Sequence, residues 1–198
     1  MGAPYTNGAD TGRSATIVKA AYEGSDLAVD WSPNGSGIAP NGLFPAMISQ
    51  VKTVMTNDAA NGEFDVLGGL YWYQGESDTI PTGAKSYQKH LTKFIQAFRK
   101  ALPITPSAPV VLAKEDITDY VSYLWSTGRC DAICVKSVLA GNAQVRAADD
   151  WAAANLQSVV KVDSFGLARN APVNIHLINS SELTIGQQMA TVSESLLP

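Results

Sequence analysis

Short apolar runs alternate with longer stretches patterned as helices, and that alternation constrains the fold more than any other feature. Strand-like runs fall at 15–21, 64–73, 109–113 and 159–163, and each is followed by a helical pattern. Strand then helix, repeated four times, predicts a parallel sheet covered by helices on both faces, an α/β three-layer architecture. A chain of 198 residues without repeats or low-complexity linkers predicts one domain with one sizeable core.

The helices are legible as stripes. Leu43, Phe44, Met47, Ile48, Val51, Val54 and Met55 recur on one face of a helix over 43–57, with Lys52 and Asn57 on the wet side. Tyr87, Leu91, Phe94, Ile95, Phe98 and Leu102 do the same over 83–102, and Pro103 and Pro106 stop that helix. Val145, Ala148, Trp151 and Ala152 predict a third helix over 142–156. In the last helix Leu183, Ile185, Met189, Ala190 and Leu196 are the apolar set, and Asn179 with Glu182 resembles a capping box. Between them, 115–135 mixes aromatics with Gly128 and reads as a loop with a helical turn, while 1–13, the Pro/Gly/Asn-rich stretch 31–42 and 164–179 read as loops.

A formal net charge of -4 with no basic stripe argues against nucleic acid as a partner. No apolar run is long enough to span a membrane, so no membrane partner is expected, and the first residues lack the basic start and apolar core of a signal peptide. Cys130 and Cys134 stand four apart with no second cysteine pair, and the two histidines are distant, so a metal site is not expected. The pair is either a short-range disulfide or two ordinary thiols, and the spacing is compatible with both. No cofactor is implied.

Chemistry concentrates in one place. The apolar run 64–70 leads into Tyr71-Trp72-Tyr73-Gln74-Gly75-Glu76-Ser77-Asp78, so the C-terminal tip of a buried strand carries an amide, a hydroxyl and two carboxylates. Open α/β sheets place their active-site groups at that end of the strands. Of the two histidines, His90 lies on a solvated helix face beside Lys89. His176 lies in the loop that leaves the same sheet edge and is the candidate general base.

The block Trp72-Tyr73-Gln74-Gly75-Glu76-Ser77-Asp78 resembles the W-x-Q-G-E-(S/N)-D block of sialate O-acetylesterase-like proteins, which include the family 6 carbohydrate esterases of the SGNH hydrolase superfamily. Further matches keep the expected order: residues 17–31, Ser86-Tyr87 with 94–99, the looser 143–146, and 162–167 with His176-Leu177 and 186–190. The resemblance implies a flavodoxin-like three-layer fold, removal of O-acetyl groups from sugars or small acetyl esters, and a secreted or periplasmic setting. By position it makes His176 the base that activates a serine, and Gln74 an oxyanion-hole or substrate-positioning donor. Gly24 would lend a backbone N–H to the same hole, and Glu76 would be a supporting carboxylate, or else would simply order its own loop. Ser25, Ser77 and Asp78 would be substrate contacts.

Two departures from the family pattern shape the expectation. The Gly-Gln-Ser-Asn block that carries the family's serine does not occur, and the chain reads as starting after it. The strands at 15–21 and 64–73 are therefore expected to be separated or abnormally paired. The residue three before the histidine, usually aspartate, is Val173, with Asn174 adjacent. Glu76, Asp163 or a backbone carbonyl would then have to orient His176, a role whose loss costs on the order of 10⁴ in rate in serine hydrolases. Two other readings compete. In one, Ser77, Asp163 and His176 form an α/β-hydrolase-type triad. In the other, the chain is a non-catalytic carbohydrate-binding remnant, with Trp31, Trp72, Tyr73 and Trp125 as stacking surfaces.

Overall fold

Three parallel strands run side by side in the order of their sequence: β1 (Leu70–Tyr73), β2 (Val110–Lys114) and β3 (Val159–Asp163). Around them lie α1 (Leu43–Ala60), α2 (Pro81–Ala101), α3 (Thr118–Ser126), α4 (Ala132–Asn155) and α5 (Asn179–Glu194). The computed structural model describes residues 16–35, 37, 42–63, 65–102, 108–171, 173 and 175–196.

The pleat sorts the strand residues into two cores. Leu70, Trp72, Val110, Leu112 and Val159 face a large core shared with α1, α2 and α4. Val111, Ala113 and Val162 face a smaller one shared with Ile185 and Met189 of α5. The larger core is centred on aromatic rings: Trp31 meets Trp72 edge-on at 5.0 Å, and Phe44 and Trp72 pack on Phe94 at 5.6 and 4.3 Å. Pairs of this kind add about 0.5–1.5 kcal/mol each beyond their buried area. The stripe read for α2 is buried throughout; in α1 Leu43, Phe44, Met47, Ile48 and Val51 are buried as expected, while Val54 and Met55 are half-buried.

Several expectations are corrected. Residues 16–21 form no strand: their backbone finds no ladder partner among the described residues, Ile17 is 77% exposed, and only Val18 and Ala20 lean on the core. The sheet of the described residues thus has no strand at 15–21 whose pairing with 64–73 could be separated or abnormal; Ala15 and Phe64 lie outside the described residues. β1 starts at Leu70 rather than 64, because Val66 is 87% exposed, Gly68 and Gly69 offer no side chain to pack, and the first bond to β2 is Leu70 N–H to Pro109 O.

The segment 115–135 contains a full helix, α3, and α4 starts ten residues before the expected 142. The reason is local: Asp131 caps α4 by accepting the Cys134 N–H at 2.8 Å, and a Cys130–Cys134 disulfide closes the same turn. At α5, Ile178 rather than Asn179 is the capping position and no side chain caps it; Leu183 and Ala190 are exposed. Pro103 and Pro106 lie outside the described residues.

Candidate functional site

The residue that follows each strand is polar and buried: Gln74 after β1, Glu115 after β2 and Ser164 after β3. All three sit on the C-terminal edge of the parallel sheet, where strand ends leave backbone groups for side chains and ligands.

After Gln74 the chain makes one 3₁₀ turn, Glu76–Thr79, pressed against α4. The approach is close enough to demand glycine twice. A Cβ on Gly75 would fall 2.8 Å from Val145 Cγ1, and one on Gly141 would fall 1.7 Å from Thr79 O. The Gln74 amide donates to Ser25 O at 3.0 Å and to Asp78 Oδ2 at 2.7 Å. The Tyr87 hydroxyl donates to Gln74 O at 3.0 Å and lies 3.3 Å from its Oε1. Asp78, 2% exposed, also accepts the Leu27 N–H at 3.0 Å, and burial pushes its carboxyl up to about 6.

These contacts redistribute the expected roles. Both N–H groups of Gln74 are directed at protein acceptors, and the one to Ser25 O ties the tip to the 22–31 turn. Asp78 faces inward and does the same. Ser25 is buried, donating to Tyr22 O and accepting from Trp31 Nε1, which leaves its hydroxyl internally engaged. Gly24, immediately before it, is exposed with φ +69° and nothing crowding its Cα. Glu76 is half-buried and accepts the Gly75 N–H at 3.1 Å, the loop-ordering contact. Ser77 is half-buried within the 3₁₀ turn. Trp31 and Trp72 are core, at 3% and 6% exposure, and offer no face to a sugar; Trp125 is exposed and Tyr73 half-buried.

The second half of the edge was not anticipated from sequence. Glu115 is fully buried and its Oε1 lies 3.2 Å from Arg169 Nη1, itself buried. Neither Glu115 oxygen has a well-aimed hydrogen bond, so Arg169 sits against the carboxyl by close approach and not through a directed bond. Burial first, then the Glu76 charge, push Glu115 up to about 8 against the pull of Arg169. Tyr73 belongs to the same cluster, its hydroxyl raised well above the ordinary phenol range by burial and by Glu115. One signal in the sequence could have found Glu115: it stands to β2 as Gln74 stands to β1. Arg169 had none, since its partner is 54 positions away.

Arg169 leads to His176. It forms an antiparallel bridge with Leu177, and Asn170 N–H donates to His176 O at 2.8 Å. His176 is exposed, as is Val173 at 39%; Asn174 lies outside the described residues. Asp163, one of the acids considered for orienting His176, is engaged elsewhere: Arg146 Nη2 donates to it at 2.7 Å and the Phe165 N–H at 2.9 Å. Those contacts do not favour a Ser77–Asp163–His176 triad. His90 is half-buried on α2. Among the described residues no His/Cys/Asp/Glu cluster has the makings of a metal site, and no helix is long and apolar enough to cross a membrane.

Comparison with known proteins bears on this arrangement. The family model for carbohydrate esterases described as sialic acid-specific acetylesterase matches residues 2–194. No curated protein sequence matches the chain. Among solved structures, a protein from Arabidopsis thaliana is similar over 87% of this chain and 57% of its own, with 23% identity and a TM-score of 0.59. This chain thus spans little more than half the length of that protein. A carbohydrate acetylesterase from Xanthomonas citri is similar over 65% of this chain and 26% of its own, with 20% identity and a TM-score of 0.48. The mixed α/β architecture, three parallel strands with five helices among the described residues, is consistent with the expected α/β three-layer, flavodoxin-like fold and is shared in part with the Arabidopsis protein.

Proposed function

The chain belongs to the sialic acid-specific acetylesterase family of carbohydrate esterases, and from that premise we propose that it is a carbohydrate O-acetylesterase-like hydrolase acting on acetylated sugars or small acetyl esters. The observation that carries the proposal is the match over 2–194, together with the placing of the Gln74–Asp78 tip and the His176 loop on one sheet edge.

In this reading His176 is the general base. It takes the proton of a serine hydroxyl as the oxygen attacks the acetyl carbonyl, then returns that proton to the departing sugar oxygen. Water, activated in the same way, releases acetate from the acyl-serine. The Gly24 N–H, which lies in an open turn, contributes to holding the oxyanion. Gln74, Asp78 and Ser25 act beneath it by fixing the 22–31 turn, and Glu76 supports the tip. The attacking serine is not assigned to Ser25 or Ser164, whose hydroxyls are engaged with Tyr22 O and Lys114 O. The reading places it in a Gly-Gln-Ser-Asn block of the family kind.

The test is labelling with a serine-directed phosphonate, alongside acetate release from O-acetylated sialic acid, acetylated xylan and a simple acetyl ester. The chain joined to a segment bearing a Gly-Gln-Ser-Asn block is expected to label and release acetate, and His176→Ala to abolish release. Labelling of the chain alone that disappears in Ser77→Ala would instead make Ser77 the nucleophile. A folded, joined chain that neither labels nor releases acetate would end the esterase reading.

A further inference from the structure

We propose that the buried Glu115–Arg169 pair is the positioning device for His176, locking the backbone of the loop that carries the imidazole in place of a carboxylate acting on the ring itself. The inference rests on His176 as the base, and it assigns to two residues of this chain a task that Val173 cannot perform.

The contacts form a continuous path. Glu115 is anchored at its carbonyl, which accepts from Arg146 Nη1 at 3.0 Å and from Asn142 Nδ2 at 3.3 Å, both on α4. Its side chain holds Arg169 at 3.2 Å. Arg169 also donates to the loop and its start: Nη1 to Ile175 O at 3.1 Å, and Nη2 to Ser164 Oγ at 3.2 Å. Ile175 directly precedes His176, whose own carbonyl accepts the Asn170 N–H at 2.8 Å. The Ile178 N–H donates to Ala168 O at 3.1 Å, so the loop is closed on both sides of the histidine.

Energetics point to position rather than stability as the purpose. A buried ion pair repays its desolvation poorly, and apolar residues of similar size often serve as well. What apolar residues cannot supply is a forked, fixed donor aimed at Ile175 O and Ser164 Oγ at once, the property for which arginine differs from lysine. The two side chains are themselves 1% and 0% exposed, so those donors work out of reach of bulk solvent.

The chain contains two histidines, and His90 on α2 serves as an internal control. The experiment measures amide exchange at Asn170 and Ile178 and the ring resonances of His176 and His90 in the 198-residue chain. Three variants are compared: Glu115→Gln, Arg169→Lys, and the double replacement Glu115→Leu with Arg169→Met, which removes both polar groups at once and keeps the fold available if a single change does not. In the double variant the Asn170 and Ile178 amides are expected to exchange at least about tenfold faster, and the His176 ring to shift toward a mobile histidine. His90 and the amides of α2 and α4 should not change. Arg169→Lys keeps a charge beside Glu115 but loses the fork, and is expected to loosen the loop as well. Unchanged exchange at Asn170 and Ile178, or equal loosening across α2 and α4, would overturn the proposal. If His176→Ala left acetate release intact in the joined chain, the catalytic reading would fall, whereas the exchange result would still report whether the pair holds the loop.

Discussion

Gln74 Nε2 donates to Asp78 Oδ2 at 2.7 Å, and that same carboxylate oxygen accepts the Leu27 N–H at 3.0 Å. The tip of β1 and the turn that precedes α1 are therefore one unit, joined at Asp78 Oδ2 and again where Gln74 Nε2 donates to Ser25 O. Anything that binds against Gly24 binds a surface whose shape is set from Gln74 and Asp78.

Removing that oxygen should be costly. Asp78→Ala leaves the Leu27 N–H and one Gln74 N–H without partners in a buried site, a loss of about 2–6 kcal/mol for two such groups. Asp78→Asn retains an acceptor oxygen and is expected to cost less than half as much. Urea unfolding of the three proteins checks the order; equal stability of Asp78→Ala and the native chain would show that the turn is held by something else.

A second test concerns the packing of α4 on the 3₁₀ turn. A Cβ at Gly141 would lie 1.7 Å from Thr79 O and 2.7 Å from its carbonyl carbon, and backbone cannot move aside as a side-chain end can. Gly141→Ala is expected to destabilise by about 3 kcal/mol or to displace the tip, since overpacking costs roughly 1–3 kcal/mol even where side chains yield. At Gly186, where an added Cβ meets nothing, the same substitution should be neutral or mildly stabilising. A thermal melt of both variants separates the two outcomes.

What was legible in the sequence follows from range. The stripe Tyr87 to Phe98 and the run 159–163 are local patterns, and helix and strand formed where they predicted. The early start of α4 depends on Asp131 and a disulfide, neither of which shows in periodicity. Residues 16–21 have strand-like composition, but a strand exists only with a neighbour to bond, and composition does not report the neighbour. At the site the tip was found because it is contiguous. The Glu115–Arg169 pair was not, because its meaning lies in a contact between segments 54 positions apart.

The Cys130–Cys134 disulfide closes so small a loop that its contribution should be modest. Chain-entropy reasoning gives about 2 kcal/mol for a loop of this size, with half of that a reasonable measured value. Its effect should be local, at the α3–α4 junction where Asp131 already caps the helix. Reduction is expected to lower the urea midpoint slightly and leave Tyr87 and Phe94 packed. A collapse of the fluorescence of buried Trp31 and Trp72 on reduction alone would contradict this.

The pH dependence of stability should run against the usual acid-labile pattern. Glu115 and Asp149 are each raised to about 8 and Asp78 to about 6, in every case chiefly by burial. A carboxyl with a raised folded pKa binds its proton more tightly in the native than in the unfolded chain. Its stabilising effect is full below the unfolded value, near 4, and is lost as pH rises, through about 6 for Asp78 and about 8 for the other two. Each group inside its window contributes a slope of at most about 1.4 kcal/mol per pH unit. Asp150 and Asp163, lowered by the lysines and arginine that pair with them, act in the opposite sense and lose their contribution only as pH falls below about 4. His90, lowered by burial and by Lys93 and Lys89, opposes the trend as a single group. Stability is therefore expected to peak near pH 4–5 and to decline toward pH 8. Asp149→Asn, at a carboxylate whose Oδ2 has no hydrogen-bond partner, should flatten that decline. Urea midpoints at pH 5 and 8 decide the matter, since a native chain more stable at pH 8 would require these buried carboxylates to be ionised and compensated.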